Sequence, residues 1–179
     1  LFSFVSIVGA EDWPTWRHDA GRTNISSQKI PAPLHLQWKR ELPKVTPAFR
    51  NSRLQFDQGY EPIIQGDTMY VALPHIDAVG AYAVETGNEK WRFYTAGPVR
   101  MAPVAWRGKL YFGSDDGHLY CLNASDGALQ WKFRAVPSGR KILGNGRLIS
   151  VWPVRGGPVL ADETIYFAAG VWPLEGVFV

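Results

Sequence analysis

The sequence predicts an all-β protein assembled from repeated four-stranded antiparallel sheets. Three observations lead to this prediction: the 179 residues are 13% aromatic, they include 18 glycines and 13 prolines, and they repeat about every 40 positions. Aromatic side chains favour strands, whereas glycine and proline favour the turns that join them. No long stretch shows the apolar spacing of an amphipathic helix.

The repeat is clearest in three tyrosine-containing runs and in two tryptophans. The runs match one another and occupy residues 66–71, 108–113 and 162–167. Trp91 and Trp131 each stand four residues after a glycine, and they lie 40 residues apart. A fixed period of this length is typical of a solenoid or a propeller.

One period contains four strand candidates separated by turns. The candidates are residues 100–105, 109–112, 118–122 and 129–134. The turns before the third and fourth contain Asp-Gly, a strong hairpin signal. Four short antiparallel strands in about 40 residues make one blade of a β-propeller.

The recurring tryptophan has a structural interpretation. A four-stranded blade on its own exposes two apolar faces, so it must pack against its neighbours. We interpret Trp91 and Trp131, each preceded by a turn glycine (Gly87 and Gly127), as residues that dock one blade on the next. A large indole ring suits this role because its burial removes much apolar area from water.

Residues 83–91 and 123–131 resemble the tryptophan-docking repeat of the pyrroloquinoline quinone (PQQ)-binding-like, or quinoprotein-type, β-propellers. Residues 12–19 resemble the start of secreted members, and residues 36–39 resemble the outer strand that follows it. The resemblance covers nearly the whole chain after Ala10. It implies a propeller, and since closed members have more blades than this length supplies, we expect an incomplete one. We count about two and a half blades plus one outer strand.

The chain divides into segments with different expected roles. Residues 1–10 are expected to be the remnant of a secretory signal peptide, because they are apolar and end on Val8-Gly9-Ala10; a buried strand is the alternative. Residues 11–60 form an N-terminal segment with an outer strand at 35–40. The blades are 61–97, 98–136 and a partial third, 153–179, after an insertion at 137–152. We therefore expect a periplasmic or secreted protein that does not span a membrane.

The candidate ligand-binding residues are basic. Arg100 and Arg155 occupy equivalent places on two inner strands, near one mouth of the central channel. Two guanidinium groups suit a carboxylate or a phosphate, although each arginine would equally suit solvent or a pairing with a neighbouring blade. Arg140, Lys141 and Arg147 in the insertion form a basic rim for an acidic small ligand or a protein, or belong to a variable surface loop.

Several classes of function receive no support from the sequence. A net charge of +3 without long charged blocks argues against nucleic acid as a partner. The single cysteine, Cys121, excludes an internal disulfide, and no catalytic grouping, metal site or cofactor site is identifiable. The turn at 115–117 reads as a hairpin rather than a calcium loop. PQQ and calcium are expected only if the full-length protein is a quinoprotein.

Three hypotheses about function remain. The first is an exported propeller that acts as a non-catalytic binding or scaffold module. The second is a fragment of a PQQ-dependent alcohol or sugar dehydrogenase. The third is a scaffold for outer-membrane protein assembly. The family resemblance is compatible with all three, since one fold hosts many functions.

Overall fold

The computed structural model describes residues 11–30, 32–134, 136–144 and 146–179. Twelve strands and two short 3-10 helices make up the regular structure of these residues. Among them no helix has the length and apolar character needed to cross a bilayer. The all-β prediction is confirmed.

The first complete sheet is antiparallel, with the strands in chain order from inside to outside. Its strands are β1 (Ile63–Gln65), β2 (Thr68–Leu73), β3 (Ala78–Ala83) and β4 (Glu89–Tyr94). The second sheet has the same order and consists of β5 (Val104–Trp106), β6 (Lys109–Gly113), β7 (His118–Asn123) and β8 (Leu129–Arg134). The predicted four-stranded antiparallel blades are therefore present.

The rest of the regular structure consists of two hairpins and the two 3-10 helices. One hairpin, β9 (Lys141–Gly144) with β10 (Arg147–Ser150), lies within the predicted insertion. The other, β11 (Val159–Ala161) with β12 (Thr164–Tyr166), occupies the place of the first two strands of a third blade. The 3-10 helices are Ser52–Leu54 and Pro173–Glu175.

The core lies between the two complete sheets. Central strands are buried because both of their faces are covered; the side chains of Phe112 and Leu110 on β6 are fully buried. The ring of Phe112 stacks on that of Tyr120, with 5.4 Å between the centroids. Phe93 on β4 packs against both rings, so the outer strand of the first sheet closes on the middle of the second.

Two predicted strands differ from the observed structure. Residues 35–40 form no strand, because no neighbouring strand among the described residues offers them a hydrogen-bond ladder. The inner strand expected at 100–105 begins only at Val104. Pro103 lacks the N–H that a ladder needs, and residues 101–103 form a bend and coil rather than a strand.

Two tryptophans contact glycines on a following turn. The ring of Trp91 lies on Gly127, and its Nε1 donates to the carbonyl oxygen of Ala124 at 3.1 Å. The ring of Trp38 lies on Gly87 in the same way, with Nε1 donating to the carbonyl oxygen of Val84 at 2.7 Å. Trp131 is 41% exposed and lies beside Tyr111 of its own sheet.

Alanine at Gly127 is expected to destabilise the protein by about 1–3 kcal/mol more than alanine at Gly108. A Cβ at Gly127 would lie 2.6 Å from Cε3 of Trp91, whereas a Cβ at Gly108 would meet nothing within 4 Å. The two glycines have nearly the same φ, +73° and +71°, so the backbone strain is matched. Urea unfolding of both variants measures the difference. Equal losses would show that indole packing does not require this glycine.

Candidate functional site

The N-terminal segment joins the inner edges of both complete sheets. Trp13 exchanges two backbone hydrogen bonds with Ile64 on β1, at 2.8 and 2.9 Å. The next residue, Pro14, accepts a bond at 2.8 Å from the amide of Ala105 on β5. These contacts place the turn that follows, which carries Trp16 and Arg17, over the inner ends of the blades.

Asp115 receives both of the predicted channel arginines. Its carboxylate is completely buried in the turn between β6 and β7. Nε of Arg100 donates to one oxygen at 2.7 Å, and Arg155 donates through Nε and Nη2 to both oxygens at 2.8 Å. The fork of Arg155 matches the carboxylate plane, which is the strong bidentate geometry.

Asp57 completes a cluster of two cations and two anions. Its Oδ2 accepts from Nη1 of Arg100 at 2.8 Å and from the amide of Ala48 at 2.9 Å. Arg100 also donates to the carbonyl oxygen of Thr46 at 3.3 Å. The segment before β1 is thereby fixed to the second sheet. We call Arg100, Arg155, Asp57 and Asp115 the charge cluster.

The sequence identified the arginines of the charge cluster but missed its acids. Arg100 and Arg155 do meet, as their equivalent places implied, but on a carboxylate of the protein itself. Two guanidinium groups predicted at one channel mouth need a negative partner. In the sequence, Asp115 in the turn between β6 and β7 was the residue that could have been predicted for this role. Asp57 had no comparable signal, because it lies in an irregular segment.

The basic residues of the insertion do not gather at one point. Arg140 pairs with Glu175 at 2.5 Å, and Arg147 pairs with Asp77. Lys141 is exposed at the start of β9, whereas Arg147 begins β10 at the other end of the hairpin. Antiparallel pairing therefore separates residues that are near in sequence.

The turn at 115–117 is a hairpin connection, as predicted, and its second carboxylate is also used internally. Asp116 accepts from the Tyr120 hydroxyl at 2.5 Å and from the amide of His118 at 3.0 Å. Burial, together with this carboxylate, raises the pKa of Tyr120 far above its usual range. Among the described residues, no three acidic, histidine or cysteine side chains are grouped to hold a metal ion.

A cavity of about 430 Å³ lies beside the charge cluster, between the N-terminal turn and the inner strands. Its apolar walls include Trp16, Phe56, Met101 and Pro158. The charged side chains that line it are Arg17, Arg22, Arg155 and Glu61.

Glu61 is the carboxylate of this cavity. Burial raises its pKa, and this effect outweighs a hydrogen bond from the Ala102 backbone and the nearby charges of Arg17 and Arg22, which act in the opposite direction. Burial of the Glu61 side chain is therefore the largest influence on the pKa of this carboxyl group.

The chain matches one protein family along almost its whole length. A family model described as "Outer membrane protein assembly factor BamB" matches residues 10–176. The chain belongs to this PQQ-like β-propeller family. The match covers both complete sheets, the insertion and the β11–β12 hairpin, so the family resemblance indicated by the tryptophan repeats is confirmed.

Two curated relatives carry different names. The chain is 32% identical over 95 residues to the outer membrane protein assembly factor BamB of Moranella endobia (strain PCIT), covering 52% of this chain and 24% of that protein. It is 28% identical over 130 residues to the dehydrogenase subunit of a quinone alcohol dehydrogenase of Gluconobacter oxydans (strain 621H), covering 65% and 16%. The chain thus spans a quarter or less of these relatives.

Solved structures show the same fold. A quinohemoprotein alcohol dehydrogenase of Pseudomonas putida HK5 aligns with a TM-score of 0.65 at 18% identity, over 89% of this chain and 23% of that one. The enzyme of the same type from Comamonas testosteroni aligns with a TM-score of 0.63 at 22% identity, with the same coverage. Identity this low supports a shared fold alone.

Replacing Asp115 with asparagine is expected to destabilise the protein by about 3–5 kcal/mol, because it leaves the largely buried Arg155 without a counter-charge and Arg100 with Asp57 alone. Asp126→Asn is the matched control: Asp126 also lies in a hairpin turn, but it is exposed and accepts from the amide of Ala128. Urea unfolding at neutral pH compares the two variants. A loss for Asp115→Asn no larger than for the control would contradict a structural role of the charge cluster.

Glu61→Gln is expected to raise the urea midpoint near pH 7 and to leave it unchanged below the ordinary glutamate pKa of 4.5. The folded pKa of Glu61 is raised, so its contribution to stability is full at low pH and is lost as the pH rises and the buried group must ionise. Glutamine carries no charge to bury. Unfolding curves across this pH range check the sign, and a midpoint gain that is the same at every pH would disprove it.

Proposed function

We propose that this chain is part of an exported propeller that acts as a non-catalytic binding or scaffold module. The observation that supports it is the closed charge cluster. Arg100, Asp57 and Asp115 are each at least nine-tenths buried, and every charge of the cluster is paired with another of its members. A catalytic acid or base needs a proton that can reach substrate, whereas these groups reach one another. Their ion pairs instead fix the positions of the three chain segments that carry them.

The charge cluster supports the surface around the cavity beside Trp16, which we propose as the binding face. Arg155 belongs to the charge cluster and also lines the cavity beside Trp16, so the floor of the cavity is held in place by buried ion pairs. Preorganised surfaces of this kind lower the entropic cost of association. The partner is either a small acidic ligand or a protein, bound on this face. The basic residues predicted in the insertion are not included in this face, because Arg140 and Arg147 are already paired with Glu175 and Asp77.

Export is part of the same proposal. The apolar residues 1–10, which lie outside the described residues, end on the small residues favoured by signal peptidase. A relative named for outer membrane protein assembly is consistent with a periplasmic or secreted location.

Two alternatives follow from the relatives. A PQQ-dependent dehydrogenase is favoured by the likeness to the Gluconobacter subunit. The residues here fit the acidic cofactor in charge alone, through Arg17, Arg22 and Arg155; no group of three acidic or histidine side chains in the described part of the chain is arranged for calcium. An assembly scaffold is favoured by the likeness to the Moranella protein.

Purified full-length protein should neither reduce a dye with alcohols or aldose sugars after loading with PQQ and calcium, nor develop the absorbance of bound PQQ. A known quinoprotein dehydrogenase treated in parallel is the positive control. Dye reduction above the level of the cofactor alone would overturn the proposal in favour of the dehydrogenase. Specific co-purification with outer-membrane assembly proteins would support the scaffold role.

A further inference from the structure

The cavity beside Trp16 carries a second, more specific inference, which rests on the proposed binding role. We infer that Arg17 and Arg22 form a guanidinium clamp for a small organic carboxylate with an apolar body. Neither residue was singled out by the sequence, and both line the cavity.

The clamp is organised by a single aromatic ring. The guanidinium carbons of Arg17 and Arg22 each lie 4.6 Å from the centroid of the Trp16 ring. An indole attracts cations to its face and restrains the planes of the guanidinium groups that lie over it. The ring therefore holds both positive groups at the wall of the cavity before any ligand arrives, and Nη2 of Arg22 also donates to the carbonyl oxygen of Gly157 at 3.4 Å.

The turn that carries the clamp is held by its own hydrogen bonds. Asp19 accepts from the amide and the hydroxyl of Thr23, and its carbonyl accepts from the amide of Arg22 at 3.0 Å. Arg17 and Arg22 both adopt left-handed backbone conformations, with φ of 58° and 55°. These bonds maintain the conformation that places both side chains on one ring.

The charges of the cavity are unbalanced. Arg155 is already matched by the bidentate bond to Asp115. Among the described residues that line the cavity, Glu61 is the carboxylate that faces the remaining guanidinium groups of Arg17 and Arg22. Two cations against one carboxylate leave room for one further negative charge, and the guanidinium fork fits a carboxylate.

The walls define the rest of the ligand. Phe56, Met101 and Pro158 supply apolar surface, and Phe56 is 73% exposed although it is aromatic. An inorganic anion would leave this surface in water, whereas an aromatic or aliphatic body would cover it. The volume of about 430 Å³ is within the usual range of small-molecule sites.

Isothermal titration of the full-length protein near pH 7.5 tests the clamp, with 1-naphthoate as the probe and with 1-naphthamide and inorganic phosphate as comparisons. Naphthoate is expected to bind, and the neutral amide, which has the same shape, at least about tenfold more weakly. Phosphate is expected to bind more weakly than naphthoate because it has no apolar body. Equal binding of naphthoate and naphthamide, or binding of phosphate as tight as that of naphthoate, would overturn the inference.

Variants locate the site. Arg17→Gln and Arg22→Gln should each weaken naphthoate binding by about tenfold or more. Arg107→Gln is the matched control, because Arg107 also follows a tryptophan, lies 4.5 Å from the ring of Trp106 and has a positive φ of 47°, but pairs with Glu163 outside the cavity. Equal weakening by Arg107→Gln would place the binding elsewhere and overturn the inference.

Glu61→Gln should act in the opposite direction and tighten naphthoate binding several-fold, because it removes the carboxylate that competes for the clamp. Partial unfolding cannot produce tighter binding, so this variant separates the site from a loss of structure. Unchanged or weaker binding in Glu61→Gln would contradict the clamp. The proposed function fails separately: dye reduction with PQQ would overturn it, whereas absent naphthoate binding without dye reduction would remove only this site.

Discussion

One buried carboxylate holds together the parts of the molecule on which the candidate site depends. Asp115 lies in the turn between β6 and β7, and Arg155 lies in the segment before β11. Arg100 connects both to Asp57 in the N-terminal segment. Removing charges from water is costly, and only full pairing and good geometry offset that cost. The fully paired cluster therefore links three chain segments, whereas removing one of its members would leave a charge unpaired. The walls of the neighbouring cavity take their positions from it.

The fold was readable from the sequence because its determinants recur. Tyrosine runs, Asp-Gly turns and tryptophans at a 40-residue spacing each report the same blade, so an error in one repeat is corrected by the next. The bounds observed for β6, β7 and β8 differ from the predicted strands by one residue at most. The first strand of that blade was placed too early, because a proline within an apolar run interrupts a ladder without interrupting the pattern.

The candidate site was harder to predict from the sequence, because its residues do not recur in each repeat. The clamp arginines belong to the N-terminal turn, Phe56 to an irregular segment, and Glu61 to the approach to β1. Their proximity results from backbone hydrogen bonds between residues about 50 and 90 positions apart, such as Trp13 with Ile64 and Pro14 with Ala105. No local sequence pattern predicts contacts between residues so far apart in the chain. Arg100 and Arg155 lie close together, as their equivalent places implied, but they meet on Asp115, and their predicted role in ligand binding stays a prediction.

The outer strand β8 differs from every other strand of the complete sheets, because all six of its residues are exposed. Leu129, Trp131 and Phe133 alternate with polar residues and therefore share one side of it, with 46%, 41% and 55% of their surfaces in solvent. A stripe of this kind next to open backbone groups is adhesive. We expect such an edge to favour contact with another apolar surface. A protein surface packed along β8 would bury these three side chains and remove this tendency.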